Sequence, residues 1–314
     1  MNERKCFLYP GQGAQYPGMA KDFWNSSEKV KELFDKASQA SGIDLRELVF
    51  NSNEEELKKT DKQQPALTLA NCATTVYLAE NSIESDACVG FSLGEYSALW
   101  DAGVLSTEDV FKIVTIRGRV MSDAARNLEK NGEKTGMAAV LGLSPEEVGE
   151  VINQLKEKDV FLANYNSPVQ SVISGKLKGL KEAEALLEDA GAMKYIYLKV
   201  SGPFHTPIME EARAYFEEEL RTFKFRDPIK HVYSNATGKE IKSGEEAKEL
   251  SIKQLVSPVL WIKEEETILN AGYDEYLETG PGSVLSGLWK SFTKKVKCRP
   301  LGTSKAVDEY LARV

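Results

Sequence analysis

The segment 90–94 (GFSLG) constrains the fold of this chain most strongly, because it joins a short apolar run to a predicted helix. Residues 86–89 (DACV) precede it and predict a buried strand. A strand, a tight turn that bears serine and a helix that starts at Leu93 form the arrangement known as a nucleophile elbow. Glycine is needed at positions 90 and 94, because a side chain there would clash with the crossing backbone. An ordinary turn in which Ser92 caps the next helix is the alternative.

Short strands and longer helical segments alternate in the first part of the chain. An apolar strand is predicted at 6–9, followed by a Pro-Gly turn and a helix near Ala14. Further predicted elements are a strand at 86–91 and helices at 28–40, 65–79 and 107–129. This alternation is typical of an α/β domain with a mostly parallel central sheet.

Residues 130–200 show a different order of elements, β-α-β-β-α-β, which is that of ferredoxin-like domains. The predicted strands lie at 137–141, 160–163, 170–174 and 194–200, and the helices at 145–156 and 177–190. We therefore predict a small ferredoxin-like domain at 130–200. It is inserted in a large α/β-hydrolase-like catalytic domain formed by 1–129 and 201–314. The large domain resumes with predicted helices at 207–223 and within 245–271, and with strands at 231–234 and 273–278.

The composition excludes several classes of protein. A net charge of −8 and the lack of a dense basic segment argue against a nucleic-acid-binding protein. The longest uncharged stretch, 63–79, is too short to span a bilayer, and the N-terminus enters a strand without the features of a signal peptide. We expect a cytoplasmic protein with no membrane contact. The four cysteines are widely spaced and predict neither disulfides nor a metal site: Cys6, Cys72, Cys88 and Cys298. No cofactor is expected.

Histidine is scarce, because the chain contains only His205 and His231. His231 opens an apolar strand, where a packing role is expected. His205 lies in a Gly/Pro loop between a strand and a helix, which is a common position for active-site residues. If an imidazole activates Ser92, His205 is the better candidate, although a loop histidine that caps the next helix is the alternative.

Arg117 and the turn at 11–15 (GQGAQ) carry the other chemical signals. Arg117 lies on an apolar helix face, and its planar guanidinium can hold a carboxylate through two parallel hydrogen bonds. A surface salt bridge is the alternative for this arginine. The turn lacks the third glycine of a dinucleotide-binding loop, because position 16 is tyrosine. Its amides could instead form half of an oxyanion hole opposite Leu93.

Together these segments resemble the malonyl-CoA:acyl carrier protein transacylases over essentially the whole chain. The order and length of the matching motifs make the resemblance far more specific than any single motif. The motifs are PGQGAQ at 10–15, GFSLGEY at 90–96, RGR at 117–119, ANYNSP at 163–168, VSGPFH at 200–205, QLVSPV at 254–259 and GPG at 280–282.

The resemblance implies a role for each motif. Ser92 would be the nucleophile and His205 the base that takes its proton. The backbone carbonyl of Gln254 would orient the imidazole in place of the acid of a full triad. The main-chain amides of Gln12 and Leu93 would form the oxyanion hole.

The same resemblance assigns the acyl-binding residues. Arg117 would hold the malonyl carboxylate, and Phe204 would leave little room for an α-methyl group. Asn164 and Asn166 would help to shape the cleft, although each could simply form a turn. One position departs from the family pattern: Phe91 stands where these enzymes often have histidine. We expect an altered rate or selectivity from this change, with the nucleophile and base intact.

The implied reaction transfers malonyl from malonyl-CoA to the phosphopantetheine thiol of holo acyl carrier protein, through a malonyl-serine ester, for fatty-acid biosynthesis. The kinetics would be ping-pong. The carrier would be a transient partner, and a monomer is expected. Two alternatives remain, a discrete acyltransferase of a polyketide pathway and a serine hydrolase or thioesterase. No histidine follows His231 and no Asp-Gly dipeptide occurs, which disfavours the common hydrolase arrangements.

Overall fold

The computed structural model describes residues 3–313, and its strands form two separate sheets. The strands are β1 Lys5–Tyr9, β2 Ala87–Gly90, β3 Thr135–Leu141, β4 Val160–Ser167, β5 Gln170–Lys176, β6 Lys194–Tyr197, β7 His231–Ser234, β8 Lys239–Glu240, β9 Glu275–Glu278 and β10 Cys298–Pro300. The α-helices are α1 Lys21–Ser26, α2 Glu28–Ser41, α3 Leu45–Asn51, α4 Glu54–Leu57, α5 Thr60–Glu80, α6 Gly94–Asp101, α7 Thr107–Lys130, α8 Pro145–Asn153, α9 Leu177–Asp189, α10 Glu210–Leu220, α11 Gly244–Lys253, α12 Trp261–Ala271, α13 Val284–Phe292 and α14 Ser304–Leu311. Short 3₁₀ turns cover Pro207–Met209 and Gln254–Val256.

The large sheet has the strand order β10-β9-β1-β2-β7-β8 and is parallel except for its last pair. Alternate residues of β1 enter two different apolar clusters. Phe7 and Tyr9 pack in the cluster that includes α5 and α7, whereas Leu8 packs in the cluster that includes Trp261 and Trp289. Helices therefore cover both faces, as a parallel sheet requires. The predicted α/β class with a mostly parallel central sheet is confirmed.

The small sheet is antiparallel and has the order β4-β5-β3-β6. Its elements follow one another as β3-α8-β4-β5-α9-β6, which is the predicted ferredoxin-like order. One face packs on α8 and α9 through Ala138 and Val140, whereas Met137 and Ala139 on the other face join the large core. The domain boundaries at 130 and 200 stay a prediction.

The predicted helix near Ala14 is wrong. Residues 10–20 form turns instead, and the first helix begins at Lys21. The backbone is left-handed at Gly13, Gly18 and Ala20, which prevents a continuous right-handed helix. No helix within residues 3–313 combines the length and hydrophobicity that a bilayer span requires.

Candidate active site

Ser92 lies on the predicted turn between β2 and α6, at the carboxyl end of a central strand. Its φ of 51° is left-handed, which is rare for a residue other than glycine. The turn is tied to β1 by a hydrogen bond of 2.9 Å from the Phe91 amide to the Tyr9 carbonyl. A Cβ at Gly90 would overlap the Gly94 carbonyl, and one at Gly94 would overlap the Tyr9 carbonyl. The predicted elbow geometry, with glycine required on both sides of the serine, is confirmed.

Replacement of Gly94 by alanine is expected to lower the free energy of unfolding by about 3 kcal/mol, because the new methyl group meets backbone that cannot move aside. Gly287 provides the matched control, since a Cβ there has no atom within 4 Å and the residue lies inside α13. Gly287→Ala should leave the protein at least as stable. Urea unfolding of the two variants measures the difference. Equal midpoints for Gly94→Ala and the wild type would show that the elbow tolerates a side chain.

His205 contacts Ser92 and Gln254 at the same time. Its Nε2 lies 2.8 Å from Ser92 Oγ, and its Nδ1 lies 2.9 Å from the carbonyl oxygen of Gln254. The carbonyl can only accept, so Nδ1 carries the proton and Nε2 presents its lone pair to the serine hydroxyl. Burial lowers the pKa of His205 to about 4, and the nearby Arg117 guanidinium contributes to the shift. The imidazole is therefore neutral at physiological pH.

The other histidine lies outside this arrangement. His231 is exposed at the start of β7, and its Nδ1 contacts Glu240 Oε1 at 2.6 Å. The sequence-based choice of His205 as the partner of Ser92 agrees with this geometry.

Arg117 is a buried cation whose side chain contacts amides and not carboxylates. It is 1% exposed, and its Nη1 and Nη2 donate to Gln64 Oε1 and Gln254 Oε1, each at 2.9 Å. The guanidinium carbon lies 5.3 Å from the centre of the Tyr96 ring. No carboxylate within residues 3–313 lies within 4.0 Å of it, and burial lowers its pKa. The surface salt bridge considered for this arginine is absent from the described part of the chain.

A buried charge normally has a partner of opposite sign, because removal from water is costly. The two glutamine oxygens and the more distant buried carboxyl of Glu95 compensate Arg117 only in part, and its Nε has no hydrogen-bond partner among the described residues. The site therefore favours an anion beside this guanidinium.

Gln254 contacts Ser92, His205 and Arg117. Its backbone carbonyl accepts from His205, its Oε1 accepts from Arg117, and its Nε2 donates to the Ser92 carbonyl at 3.1 Å. The sequence predicted only the first of these contacts. The side chain of Gln254 thus fixes the serine turn and the guanidinium relative to each other.

The main-chain amides of Gln12 and Leu93 have no acceptor in the described part of the protein. Within residues 3–313 neither amide donates a hydrogen bond to another protein group. The turn that holds Gln12 is closed instead by a 3.3 Å bond from the Ala14 amide to the Gly11 carbonyl. Leu93 caps the start of α6, where the exposed amides of a helix favour negative charge. The oxyanion-hole role of both residues stays a prediction.

A cleft of about 280 Å³ lies between the two sheets and contains these groups. The large-domain side contributes Ser92 and Arg117, and the small sheet contributes apolar residues such as Met137 and Val172. Seven of the nine predicted site residues line the cleft, whereas Leu93 and Gln254 do not: Gln12, Ser92, Arg117, Asn164, Asn166, Phe204 and His205. Phe91 lines it as well. A space lined by apolar side chains with a few converging polar groups is typical of a small-molecule site.

Four of these lining residues form the walls of the cleft. Phe204 is 3% exposed, and Asn164 and Asn166 are each 5% exposed. Asn164 bridges to Val259 through the backbone. Phe91 packs edge-on against Trp261, with ring centres 5.3 Å apart, so it adds apolar surface beside Ser92 and no hydrogen-bonding group.

Sequence reasoning missed two residues that contact the site. Gln64 holds Arg117, and Asn235 accepts a 2.6 Å hydrogen bond from the Ser92 amide. Two adjacent glutamines at the start of the uncharged stretch 63–79 are a signal for a buried polar contact. Asn235 follows a short strand and gave no such signal.

Comparison with known proteins agrees with this geometry. The acyl transferase domain family matches residues 6–304. A malonyl CoA-acyl carrier protein transacylase of Bacillus subtilis strain 168 is 38% identical over 305 residues, which are 96% of this chain and 95% of the relative.

Solved structures are equally similar. The malonyl CoA-acyl carrier protein transacylase of Clostridium perfringens has a TM-score of 0.92 at 38% identity, over 99% of this chain and 96% of that one. A malonyl-transacylase in complex with a holo type II PKS acyl-carrier protein has a TM-score of 0.93 at 32% identity, over 99% and 100% of the two chains. Similarity of this extent shows that the protein is an acyltransferase and belongs to the family of malonyl CoA-acyl carrier protein transacylases.

Proposed function

We propose that this protein transfers malonyl from malonyl-CoA to the phosphopantetheine thiol of holo acyl carrier protein, through a malonyl ester of Ser92. One observation indicates that the acyl group is malonyl. The cleft that holds Ser92 and His205 also contains Arg117, a buried cation that forms no salt bridge with a carboxylate of residues 3–313. A malonyl carboxylate supplies the missing negative charge and can accept two hydrogen bonds from the guanidinium.

In the first half-reaction His205 Nε2 accepts the proton of Ser92 Oγ while the oxygen attacks the thioester carbonyl. The amides of Gln12 and Leu93 donate to the oxyanion that develops. The tetrahedral intermediate then collapses, the carbon–sulfur bond breaks, and His205 returns the proton to the sulfur of CoA. The product is a malonyl-serine ester.

In the second half-reaction the phosphopantetheine thiol takes the place of CoA. His205 accepts the thiol proton, the sulfur attacks the ester carbonyl, and the proton passes to Ser92 Oγ as the ester bond breaks. Because the acyl group stays on the enzyme between the two steps, the kinetics are ping-pong.

Selectivity follows from the walls of the cleft. Arg117 favours acyl groups that end in a carboxylate, and Phe204 limits the space beside the α-carbon. Asn164 and Asn166 complete the shape of the cleft from the small sheet. These roles rest on the position of the side chains and on the family resemblance.

The pH dependence of Ser92 reactivity is expected to reflect the buried His205. The imidazole accepts a proton only when neutral, which is above its pKa of about 4. The rate should therefore be nearly constant from pH 8 to about pH 5 and fall by half as the pH drops through about 4. The second-order rate constant for labelling by a neutral fluorophosphonate measures this without ionisation of a substrate carboxylate. Circular dichroism at each pH provides the control for folding, and a midpoint near 6.5 would contradict the argument.

The proposed function is tested by transfer to carrier proteins. Enzyme and malonyl-CoA are incubated with holo carriers from a fatty-acid pathway and a type II polyketide pathway, and with the matching apo forms. We expect malonylation of the holo form only, and the faster holo carrier identifies the pathway. Release of free malonate at the same rate with or without carrier would support the hydrolase alternative. The fatty-acid pathway, a monomeric state and a cytoplasmic location stay predictions.

A further inference from the structure

Asn235 lies directly behind the serine turn and is completely buried. Its Oδ1 accepts the Ser92 amide at 2.6 Å, and its Nδ2 donates to the Gly90 carbonyl at 2.7 Å. The backbone amide of Asn235 donates to Glu95 Oε2 at 2.6 Å. One asparagine therefore contacts the residue before the turn, the serine itself and the first turn of α6.

These contacts stabilise the strained backbone of the Ser92 turn. Ser92 has a left-handed φ, and a residue in such a conformation costs of the order of 1–3 kcal/mol unless its surroundings enforce it. The Oδ1 and Nδ2 atoms hold the Ser92 amide and the Gly90 carbonyl on either side of the strained turn. Neither atom reaches the cleft, because Asn235 is not among the residues that line it.

The side of Asn235 away from the turn is fixed by buried acids. Its Nδ2 also donates to Glu264 Oε2 at 2.8 Å, and Glu264 and Glu95 are both completely buried. Burial raises the pKa of Glu95 to about 7 and raises that of Glu264 as well. An amide suits this position, because it provides a donor for the acids and the Gly90 carbonyl and an acceptor for the Ser92 amide.

We propose that Asn235 is a positioning residue, which holds the Ser92 turn in the geometry that places Oγ against His205. The inference rests on the proposed function only for the identity of the acyl donor. Loss of the hydrogen bonds from the Asn235 side chain to the Ser92 turn should reduce the rate of Ser92 acylation. Binding of malonyl-CoA should stay unchanged, since these bonds involve neither Arg117 nor the cleft walls. A misplacement of about 1 Å at a reacting atom can cost about 100-fold in rate.

The test compares Asn235→Ala and the isosteric Asn235→Asp with the wild type. Ser234→Ala is the matched control, because Ser234 is an equally buried neighbour whose hydroxyl, among the residues that the structure describes, accepts only from the Ala236 amide. Two rates are measured for each variant: malonylation by malonyl-CoA and labelling by a fluorophosphonate, which has no carboxylate. We expect both rates to fall about 100-fold for the Asn235 variants. The concentration of malonyl-CoA that half-saturates the enzyme should stay within twofold of the wild-type value.

A second variant separates positioning from a general loss of structure. In Asn235→Asp/Glu264→Gln the hydrogen bond between these side chains is restored in the opposite direction, from the glutamine amide to the aspartate. We expect this double variant to react about tenfold faster than Asn235→Asp, as a partial repair of about 1.4 kcal/mol would produce. Circular dichroism and urea unfolding of each variant show whether the fold is intact, and a folded double variant that reacts no faster than Asn235→Asp would overturn the proposal.

Three further results are decisive. Wild-type labelling rates in folded Asn235→Ala or Asn235→Asp would also overturn the proposal. A change in the half-saturating concentration of malonyl-CoA without a change in either rate would overturn it too. A wild-type enzyme that reacts with the fluorophosphonate but not with malonyl-CoA would refute the proposed acyl donor. The role of Asn235 would then still be decided by the labelling rates of the variants.

Discussion

Replacement of His205 by alanine is expected to slow the malonylation of Ser92 by about 10⁴- to 10⁶-fold, the range seen when the base of a serine nucleophile is removed. The reason lies in the composition of the cleft. Among its lining residues within 3–313, His205 is the only group that can accept a proton at neutral pH, and its Nε2 lies 2.8 Å from Ser92 Oγ. The measurement is the single-turnover rate of malonyl-enzyme formation.

His231→Ala is the matched control for this variant. His231 is exposed and pairs with Glu240, away from the cleft, so the rate should stay within twofold of the wild type. A His205→Ala enzyme that retained a tenth of the wild-type rate would show that another group activates Ser92.

Replacement of Arg117 by alanine is expected to reduce kcat/KM for malonyl-CoA by about 100-fold or more, since loss of one partner of a buried charge pair costs about 2–5 kcal/mol. The rate with acetyl-CoA, which has no carboxylate, should fall far less. Arg117→Lys should also lose most of the malonyl activity. A lysine cannot donate to Gln64, Gln254 and a carboxylate in the same planar arrangement.

Arg119→Ala is the control, because Arg119 lies on the same helix but is exposed and paired with Glu219. Its kcat/KM should match that of the wild type. The ratio of hydrolysis to transfer is measured in the same experiment, since a malonyl group released from Arg117 is expected to admit water. An equal loss of malonyl and acetyl activity in Arg117→Ala would contradict carboxylate recognition by this residue.

The sequence was informative wherever a local pattern determined the structure. Apolar patterns predicted the four strands of the small sheet and four of the six strands of the large sheet, but not the short strands β8 and β10. The glycines at 90 and 94 predicted the elbow. The turn after β1 was misread because its left-handed residues include Ala20, a residue that does not usually indicate a break. Short helices such as α3 and α4 were missed, since fewer than two full turns give little periodicity.

Within the site, the resemblance identified the polar residues around Ser92 but neither the apolar wall of the cleft nor most of the side chains that hold the polar residues in place. The bond from Ser92 to Asn235 joins residues 143 positions apart, and that from Arg117 to Gln254 joins residues 137 apart. Such pairs depend on how the central strands and the loop at 254–259 meet in space, and no local pattern encodes them. Phe91 is a related case, because only the structure shows that its ring packs on Trp261.

Intact-protein mass spectrometry of the wild type and Ser92→Ala with malonyl-CoA tests the proposal that Ser92 carries the malonyl group between two thiols. We expect one malonyl adduct on the wild type and none on Ser92→Ala. Addition of holo acyl carrier protein should remove the adduct and malonylate the carrier. An adduct on Ser92→Ala, or transfer to the carrier by that variant at the wild-type rate, would contradict it.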